Sequence, residues 1–569
     1  MNFHRQKNQN AMMFKPQHPA RTLHALSLAV AGLWLQTALS AQAQVVPDAG
    51  QILQQQAKPP APPPQPGKTL QVQTPATEVV LPGGSQVTLN ALQFSGNSVI
   101  DSAKLQLLLA DAPGQRFDMA GLRGLVDRVS AHYHQAGYLF ARAYLPPQDL
   151  AAGVLRIEVL EGRYGQTRVQ TEQPGWADAA QAYFKRLAPD SVIEGAALER
   201  ATLLLSDLPG VQSTPVMQPG TRTGTGDLVV ALARGPAISG SIGADNQGNR
   251  YSGQHRVHGA LDWNSPLRLG DKLSLRSMLS DEQLWLGSLA YSLALGSDGL
   301  LGSLSYAHTS YELGREFASL GATGTAKVGS AGLVYSLLRS NQANLKLSGQ
   351  VQHKSLRDDQ LALHDRKTSV SVPLGLDFDR RDALGGGGLT FGSLSLTAGR
   401  LSMPEAQAAL DSNNTRGQFQ KINLDLVRLQ SLSSGFSAYG RFSGQWANKN
   451  LDSSERTSLG GASGVRAYPS GEATGDQGWL LQAELRWSQG AWEPYAFIDT
   501  GDVRINAKPA ALMLHNRREL AGSGLGLRYQ AKQWELNAAV AAQTRGGQSQ
   551  ADGGAGGSTL GWVNASYRF

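Results

Sequence analysis

Arg466 and Asp499 are the residues whose types and setting suit a specific chemistry, and that chemistry is a charge clasp rather than catalysis. Arg466 stands in residues 464–478, GVRAYPSGEATGDQG, a Gly-rich connection that follows an alternating strand at 436–447. If the strands close into a barrel, a connection this long is either solvated outside it or folded into its lumen. In a confined lumen an unpaired guanidinium is costly, so Arg466 would require an acid. A candidate lies in residues 496–502, AFIDTGD, where Phe497, Asp499 and Gly501 share one face and Ala496, Ile498 and Thr500 the other. Asp499 then points inward beside an open glycine position. An arginine–carboxylate pair can be bidentate, which fixes orientation as well as charge. Spacing alone leaves a second reading open, with Arg466 a solvated loop arginine and Asp499 an ordinary lumen charge.

Little else suggests reactivity. The histidines show no HExxH or comparable ligand spacing, and there is no GxSxG elbow. Residues 522–526, GSGLG, lie in an alternating strand rather than at a strand-to-helix turn, so they suit lumen space or strand bending better than a nucleotide. With no Cys, a Cys-ligated zinc, an iron–sulfur cluster, a disulfide scaffold and a cysteine nucleophile are excluded. No catalytic residue, metal site or cofactor is expected. A net charge of +7 over 569 residues is mild and does not argue for nucleic acid.

The elements that must position the clasp follow from composition and period. The chain is 41% hydrophobic, 17% charged and carries 65 glycines, which points to many strands and turns. Residues 1–43 read as a signal peptide: Arg5, Lys7, Lys15 and Arg21 precede an apolar run at 23–39 and an Ala41-Gln42-Ala43 cleavage site. A membrane anchor is the alternative, disfavoured by the small-residue exit. No second apolar run reaches the ~20 residues of a spanning helix. Residues 44–58 hold a short polar helix at 48–57, and the stretch 59–86 begins with PPAPPPQP, an extended semi-rigid spacer. A disordered tail is the competing reading.

Residues 87–163 then read as strand, helix, strand, strand. The strands are at 88–94, 138–145 and 154–160, and the helix is N-capped by Asp118 and closed by Gly137. A similar order recurs over 164–236, with helices at 177–187 and 195–206. From 237 to 569 period-two alternation takes over. Strand candidates run about ten residues or more, the length a tilted strand needs to cross a bilayer. One face stays apolar; the other is Gly, Ser, Gln, Asn and charge. That is apolar-out and polar-in, and some 330 residues at roughly 20 per strand and connection make about sixteen strands. The chain ends TLGWVNASYRF, with Tyr567 and Phe569 on one face, as in the C-terminal sorting signal of bacterial outer-membrane barrels.

At this point a resemblance becomes specific. Residues 131–162 (AHYHQAGYLFARAYLPPQDLAAGVLRIEVLEG) resemble the first POTRA domain of two-partner secretion transporters, the TpsB family of haemolysin-activator and filamentous-haemagglutinin type. Residues 264–275 (NSPLRLGDKLSL) resemble an early barrel hairpin of that family. Val465-Arg466-Ala467-Tyr468 stands where the family has a VRGY-type tip on its sixth extracellular loop, here about 448–477, with Ala467 in place of the usual Gly. Phe497, Asp499 and Gly501 match the family's inward FxDxG motif. The resemblance covers nearly the whole mature chain.

It implies a transmembrane β-barrel of about sixteen antiparallel strands in the Gram-negative outer membrane, preceded by two periplasmic α+β POTRA domains. It also implies an N-terminal plug helix and an Arg466–Asp499 pair holding the loop inside. Tyr138, Arg142 and Leu145 become candidates for recognising the exported chain, with sheet packing as the competing reading. The implied partners are a large secreted β-helical TpsA-type exoprotein, outer-membrane lipids and, for biogenesis, the barrel-assembly machinery and periplasmic chaperones. Competing functions are a barrel-assembly insertase, a passive porin and an outer-membrane hydrolase. Two modules argue against the insertase, their presence argues against a porin, and the missing nucleophile argues against a hydrolase.

Overall fold

A computed structural model describes residues 46–56, 63, 71–72, 83, 85–361, 363–511, 513–552 and 557–569. The expected signal peptide and most of the Pro-rich stretch lie outside the described residues. A helix at Ala49–Gln55 comes first, with the Asp48 side chain accepting from the Gln51 N–H at 2.8 Å. β1 (Gln71–Val72) follows.

The first α+β module contains β2 (Val87–Thr88), β3 (Ala91–Ser95), β4 (Arg116–Phe117), β5 (Arg142–Tyr144) and β6 (Val154–Leu160). Its helices are Ser102–Leu108 and Met119–Gln135. Leu122, Leu125, Val126, Val129 and Tyr133 line the buried face of the longer helix, against Leu155, Ile157 and Val159 of β6. Asp118 caps that helix, and the N–H groups of Gly121 and Gly83 hold its carboxyl below the usual carboxylate range.

Two expectations change here. The alternation at 88–94 spans two ladders: β2 pairs with β4 and β3 pairs with β6, and the strand is interrupted between them at Leu89 and Asn90. The strand expected at 138–145 is only β5. Gly137 ends the helix at φ 95°, the Tyr138 N–H closes back on the Tyr133 carbonyl, and the Ala141 N–H donates to the Tyr138 carbonyl, so that stretch is a turn.

The second module comprises β7 (Arg163–Thr171), helices Trp176–Gln181 and Gly195–Ser206, β8 (Val211–Pro219) and β9 (Thr225–Arg234). The helix expected over 177–187 stops at Gln181 and continues only as a 3-10 turn, Ala182–Phe184. The two sheets share a pattern. In the first, β6 lies between β3, parallel to it, and β5, antiparallel; in the second, β9 lies between β7, parallel, and β8, antiparallel. Arg339 of the barrel grips Asp207 of the second module with two bonds, 2.6 and 2.7 Å, and the Arg200 guanidinium donates to the Ser336 carbonyl at 2.6 Å.

The barrel strands are β10 (Ile238–Asp245), β11 (Arg256–Asn264), β12 (Lys272–Ser280), β13 (Trp285–Ala294), β14 (Leu300–Glu312), β15 (Thr323–Arg339), β16 (Ala343–Gln360) and β17 (Leu363–Asp382). They continue with β18 (Gly388–Ser402), β19 (Gly417–Ser431) and β20 (Phe436–Ala447). Beyond a hairpin of β21 (Thr457–Ser458) and β22 (Thr474–Gly475), β23 (Gln477–Trp487), β24 (Trp492–Arg504), β25 (Arg517–Ala531), β26 (Trp534–Arg545) and β27 (Thr559–Arg568) complete it. The barrel strands form a closed antiparallel barrel of 16, sealed where β10 meets β27. Closure is what hydrocarbon demands of strands, since it leaves no unpaired backbone edge.

Side-chain alternation gives the wall its two chemistries. Val257, Leu275, Leu289, Val351, Leu374 and Val540 stand outward and exposed. Lys354, Ser371, Arg441, Gln445, Glu484 and Asp499 are buried on the inner side. Exposing so many large apolar side chains to water would cost about 1.5–3 kcal/mol each, so the outer face belongs in lipid. No described helix is long and apolar enough to cross a membrane, which says nothing of strands.

Candidate functional site

The loop between β20 and β23, the eleventh and twelfth barrel strands, folds into the lumen. Its tip is a tight turn: the Val465 N–H donates to the Leu459 carbonyl at 2.7 Å, and the Tyr468 N–H donates to that of Val465 at 3.0 Å. Val465, Ala467 and Tyr468 are fully buried, and Arg466 nearly so.

Arg466 lies against β24, with Nε donating to Asp499 Oδ2 at 2.8 Å and Nη2 to Oδ1 at 2.7 Å. Its own backbone N–H adds a third bond to Asp499, 3.1 Å. The guanidinium lies 3.6 Å from the Phe497 ring centre, so one face is covered by an aromatic ring.

Glu484 on β23, which the sequence did not single out, completes this arrangement. Arg466 Nη1 donates to Glu484 Oε1 at 2.6 Å, while Arg486 and Arg528 bind Oε2 at 2.7 and 2.9 Å. Arg528 also meets Glu493 at 2.9 Å. Three guanidiniums thus face three carboxylates, so the cluster is neutral as a group, as burial requires. The sequence did hold a signal: Gln482, Glu484 and Arg486 alternate with Leu481 and Leu485, which puts a second acid on the lumen face.

The rest of the tip is held by wall residues. The Trp562 indole of β27 donates to the Arg466 carbonyl at 2.7 Å. The Tyr468 hydroxyl donates toward the carbonyls of Arg545 and Gly547, 2.8 and 3.0 Å away. The Ala467 methyl sits where Gly522 of β25 has no side chain; a Cβ there would lie 2.3 Å from it. Ala467 does not take a positive φ, so a side chain is compatible with this tip. Gly501 is not open space, because Leu459 of the loop fills the place of its missing side chain.

The base of the loop makes a second set of contacts. Glu455 receives Lys354 Nζ at 2.6 Å and Lys421 Nζ at 2.9 Å, one carboxylate shared by two wall lysines. The preceding residues seat the Ala49–Gln55 helix. Ser453 Oγ donates to Asp48 at 2.7 Å, Gln54 donates to the Ser454 carbonyl, and the Ala49 N–H reaches Asp358 of β16 at 2.8 Å. Gly50 lies so close that a Cβ would fall 2.2 Å from Ser453 Oγ. A cavity of about 820 Å³ remains in the lumen, lined by Gln55, Arg256, Arg276, Lys421, Asp425 and Arg441 among others. Loop and helix therefore sit together inside the wall.

Glu455→Ala should loosen this base by leaving two buried lysines without their shared acid. Hydrogen exchange at residues 453–458 is expected to speed about tenfold, with 464–468 still protected. Unchanged exchange at 453–458 would show that the lysines do not need Glu455.

The other candidates are placed apart. Tyr138 and Leu145 pack on the first module's core, Tyr138 meeting the Tyr133 ring edge-on at 6.1 Å. Arg142 is exposed on β5, an edge of the three-strand sheet. Phe569 exchanges two backbone bonds of 3.0 Å with Gly240 on β10, and the Tyr567 ring meets Trp534 at 5.1 Å. Among the described residues no group of acids and histidines could hold a metal.

A family model described as haemolysin secretion/activation protein ShlB/FhaC/HecB matches residues 224–529, more than half of the chain. The chain belongs to this family. A second model, POTRA domain of ShlB type, matches residues 87–162, the first module. The heme/hemopexin transporter protein HuxB of Haemophilus influenzae strain 86-028NP is 27% identical over 463 residues, 78% of this chain and 81% of its own. The outer membrane transporter CdiB of Escherichia coli O6:K15:H31 strain 536 is 27% identical over 434 residues, 71% and 70% of the two chains. The solved CdiB from Escherichia coli has the same fold, with a TM-score of 0.69 at 22% identity over 87% of this chain and 93% of that one. As a ShlB/FhaC/HecB member, the chain is a two-partner secretion transporter of the outer membrane with its POTRA module in the periplasm.

Proposed function

We propose that this transporter recognises an unfolded, large β-helical TpsA-type exoprotein through its periplasmic modules and passes it through the barrel without ATP. The observation that carries this reading is the filling of the lumen: both occupants, the Ala49–Gln55 helix and the 448–477 loop, are held by side-chain bonds that can break without opening the wall. The layout in this reading is a signal peptide over 1–43, a plug over 44–58, a linker over 59–86, POTRA domains over 87–163 and 164–236, and the barrel from 237. The shared strand pattern of the two modules supports the second POTRA domain.

An extended segment adds by β-augmentation to an exposed POTRA edge, where Arg142 on β5 is the accessible candidate. Tyr138 and Leu145 shape that edge from the core. The plug and loop then rearrange, and folding outside the cell biases movement outward. The barrel reaches its lipid surroundings by way of periplasmic chaperones and the barrel-assembly machinery, read through the Tyr567 and Phe569 end. Deleting the gene should remove one large protein from the culture supernatant and leave other outer-membrane proteins at their normal levels. General loss of outer-membrane proteins would instead support an insertase.

A further inference from the structure

One side of the barrel carries unpaired positive charge on its lipid-facing wall. On β16, Lys354 points inward to Glu455 and Asp358 to the Ala49 N–H. On β17, Lys367 points inward to Asp452 at 3.3 Å. Alternation therefore turns Arg357 and Arg366 outward, and both are exposed. The ladders carry the same face to Lys327 of β15, opposite Ser355, and to Arg400 of β18, opposite Val370. These two are exposed as well. β10 starts where the second module ends, so β16 and β18 run away from the modules, and Arg357 and Arg400 lie near their far ends. In the outer membrane that end is the external rim. Beneath the charges the outward positions turn apolar, with Leu333, Val351, Val372 and Leu396 all exposed. Tyr306 of β14, outward and exposed, marks the level where aromatic residues collect at a membrane interface.

These cations lack acids of their own. Arg357 and Arg366 are register partners, so two guanidiniums stand directly opposite each other on one face, a placement that repels. Asp359 answers only the first: it takes Arg357 at 2.6 Å and His364 at 2.7 Å. Among the described residues no carboxylate pairs with Lys327, Arg366 or Arg400. The rim at β24–β26 is built differently. There Arg517 binds Asp502 at 2.6 Å and Glu519 at 3.3 Å, and Arg545 binds Glu519 at 3.3 Å. At about 3.3 Å per residue and about 4.8 Å between strands, Lys327 and Arg366 lie about 12 Å apart at the backbone, and Arg366 and Arg400 about 14 Å. Long side chains at that spacing can converge on a head group the size of a disaccharide that bears two phosphates, whereas a head group with one phosphate cannot reach both ends.

We propose that the outer face of β15–β18 at the external rim binds a doubly phosphorylated glycolipid of the outer leaflet, with Lys327 and Arg366 at one phosphate, Arg400 at the other, and the apolar wall beneath taking its acyl chains. A guanidinium meets a phosphate with paired bonds and an ammonium meets it as a point charge. The charges continue directly into the apolar band, so their counter-ion comes with hydrocarbon attached. The site needs only a barrel in the outer membrane and no exported protein, so it stands or falls apart from the transport reading.

In the test, purified full-length protein in detergent is titrated with bisphosphorylated lipid A, with the same lipid stripped of both phosphates, and with phosphatidylglycerol. Bound lipid is counted by native mass spectrometry. The triple variant Lys327→Gln, Arg366→Gln and Arg400→Gln should bind the bisphosphorylated lipid at least about tenfold more weakly than the unaltered chain, and the stripped lipid equally well. Arg366→Gln alone should lose at least about threefold, which keeps the test decisive if the triple variant assembles poorly. Arg517→Gln, at the neutralised rim, should bind like the unaltered chain. Equal affinity of the triple variant and the unaltered chain for the bisphosphorylated lipid would overturn the site. Phosphatidylglycerol binding as tightly would overturn the glycolipid, and displacement of the lipid by inorganic phosphate would reduce the site to one for free anions. A dimer that the triple variant breaks, with lipid binding unaltered, would assign this face to a second copy of the chain instead.

Discussion

Asp499→Ala is expected to cut export at least about tenfold while the barrel still assembles, because in the proposed mechanism the Arg466–Asp499 pair shapes the conducting state as well as holding the loop inside. Asp499 is fully buried and accepts two guanidinium bonds and one backbone N–H from Arg466. Without it Arg466 keeps only Glu484, which Arg486 and Arg528 already share. Removing one partner of a buried pair costs about 3–5 kcal/mol, because the other charge stays desolvated. That is a hundredfold or more in the balance between the seated tip and a displaced one, at about 1.4 kcal/mol per factor of ten. The ladders on either side of β24 are backbone pairings and do not depend on the carboxylate. Heat-modifiable folded barrel in the outer-membrane fraction should therefore stay near normal. Asp499→Asn keeps the shape but not the charge, and should fall between the two. Export by Asp499→Ala at the unaltered level would remove the clasp from the mechanism. Arg466→Lys should also fail, since an ammonium cannot bridge Asp499 and Glu484 with a planar fork.

The wall was legible because it rests on period two, and Phe497, Asp499 and Gly501 must share a face wherever the strand lies. The clasp was not legible on the same ground: spacing left Arg466 free to be a solvated loop arginine, and only the resemblance of Val465-Arg466-Ala467-Tyr468 and the Phe497, Asp499, Gly501 motif to a known pair of motifs joined it to Asp499. Glu484 was missed for a different reason. Its face follows from alternation, but its place beside Arg466 depends on register, with Gln482 opposite Asp499 and Glu484 opposite Phe497. Nothing in either strand alone sets that offset. The Glu455 bond to Lys354 and Lys421 joins segments roughly 100 and 34 residues apart, and spacing carries no information across such a distance.

The strand misread at 138–145 shows the converse. Aromatic and apolar residues there have strand composition, yet Gly137 turns the chain and Tyr138 is spent on the helix end. Composition reports what a segment buries, whereas the turn before it decides in what conformation. β1 escaped notice because a two-residue strand has no period to detect; only the partner β8 defines it.

Gly50→Val should open the lumen. A seven-residue helix has no stability of its own in water, so Ala49–Gln55 persists because it is docked. Its seat leaves no room at Gly50, where a Cβ would meet Ser453 Oγ at 2.2 Å and the Ser454 backbone nitrogen at 2.5 Å. The hydroxyl can rotate away, but the backbone cannot, and Glu455 next to it is tied to two lysines. A β-branched side chain thus forces out either the helix or the loop base, and the helix has fewer bonds to lose. Removing it joins its volume to the existing cavity and leaves the loop as the remaining obstruction. In planar bilayers the variant should show single-channel conductance at least about twice that of the unaltered protein, and cells carrying it should admit large antibiotics. Asp48→Ala gives the graded case: it deletes the N-cap, worth about 1 kcal/mol, and the Ser453 bond, without a clash, so its openings should be shorter. If both variants conduct like the unaltered chain, the loop alone closes the pore and the helix serves another purpose.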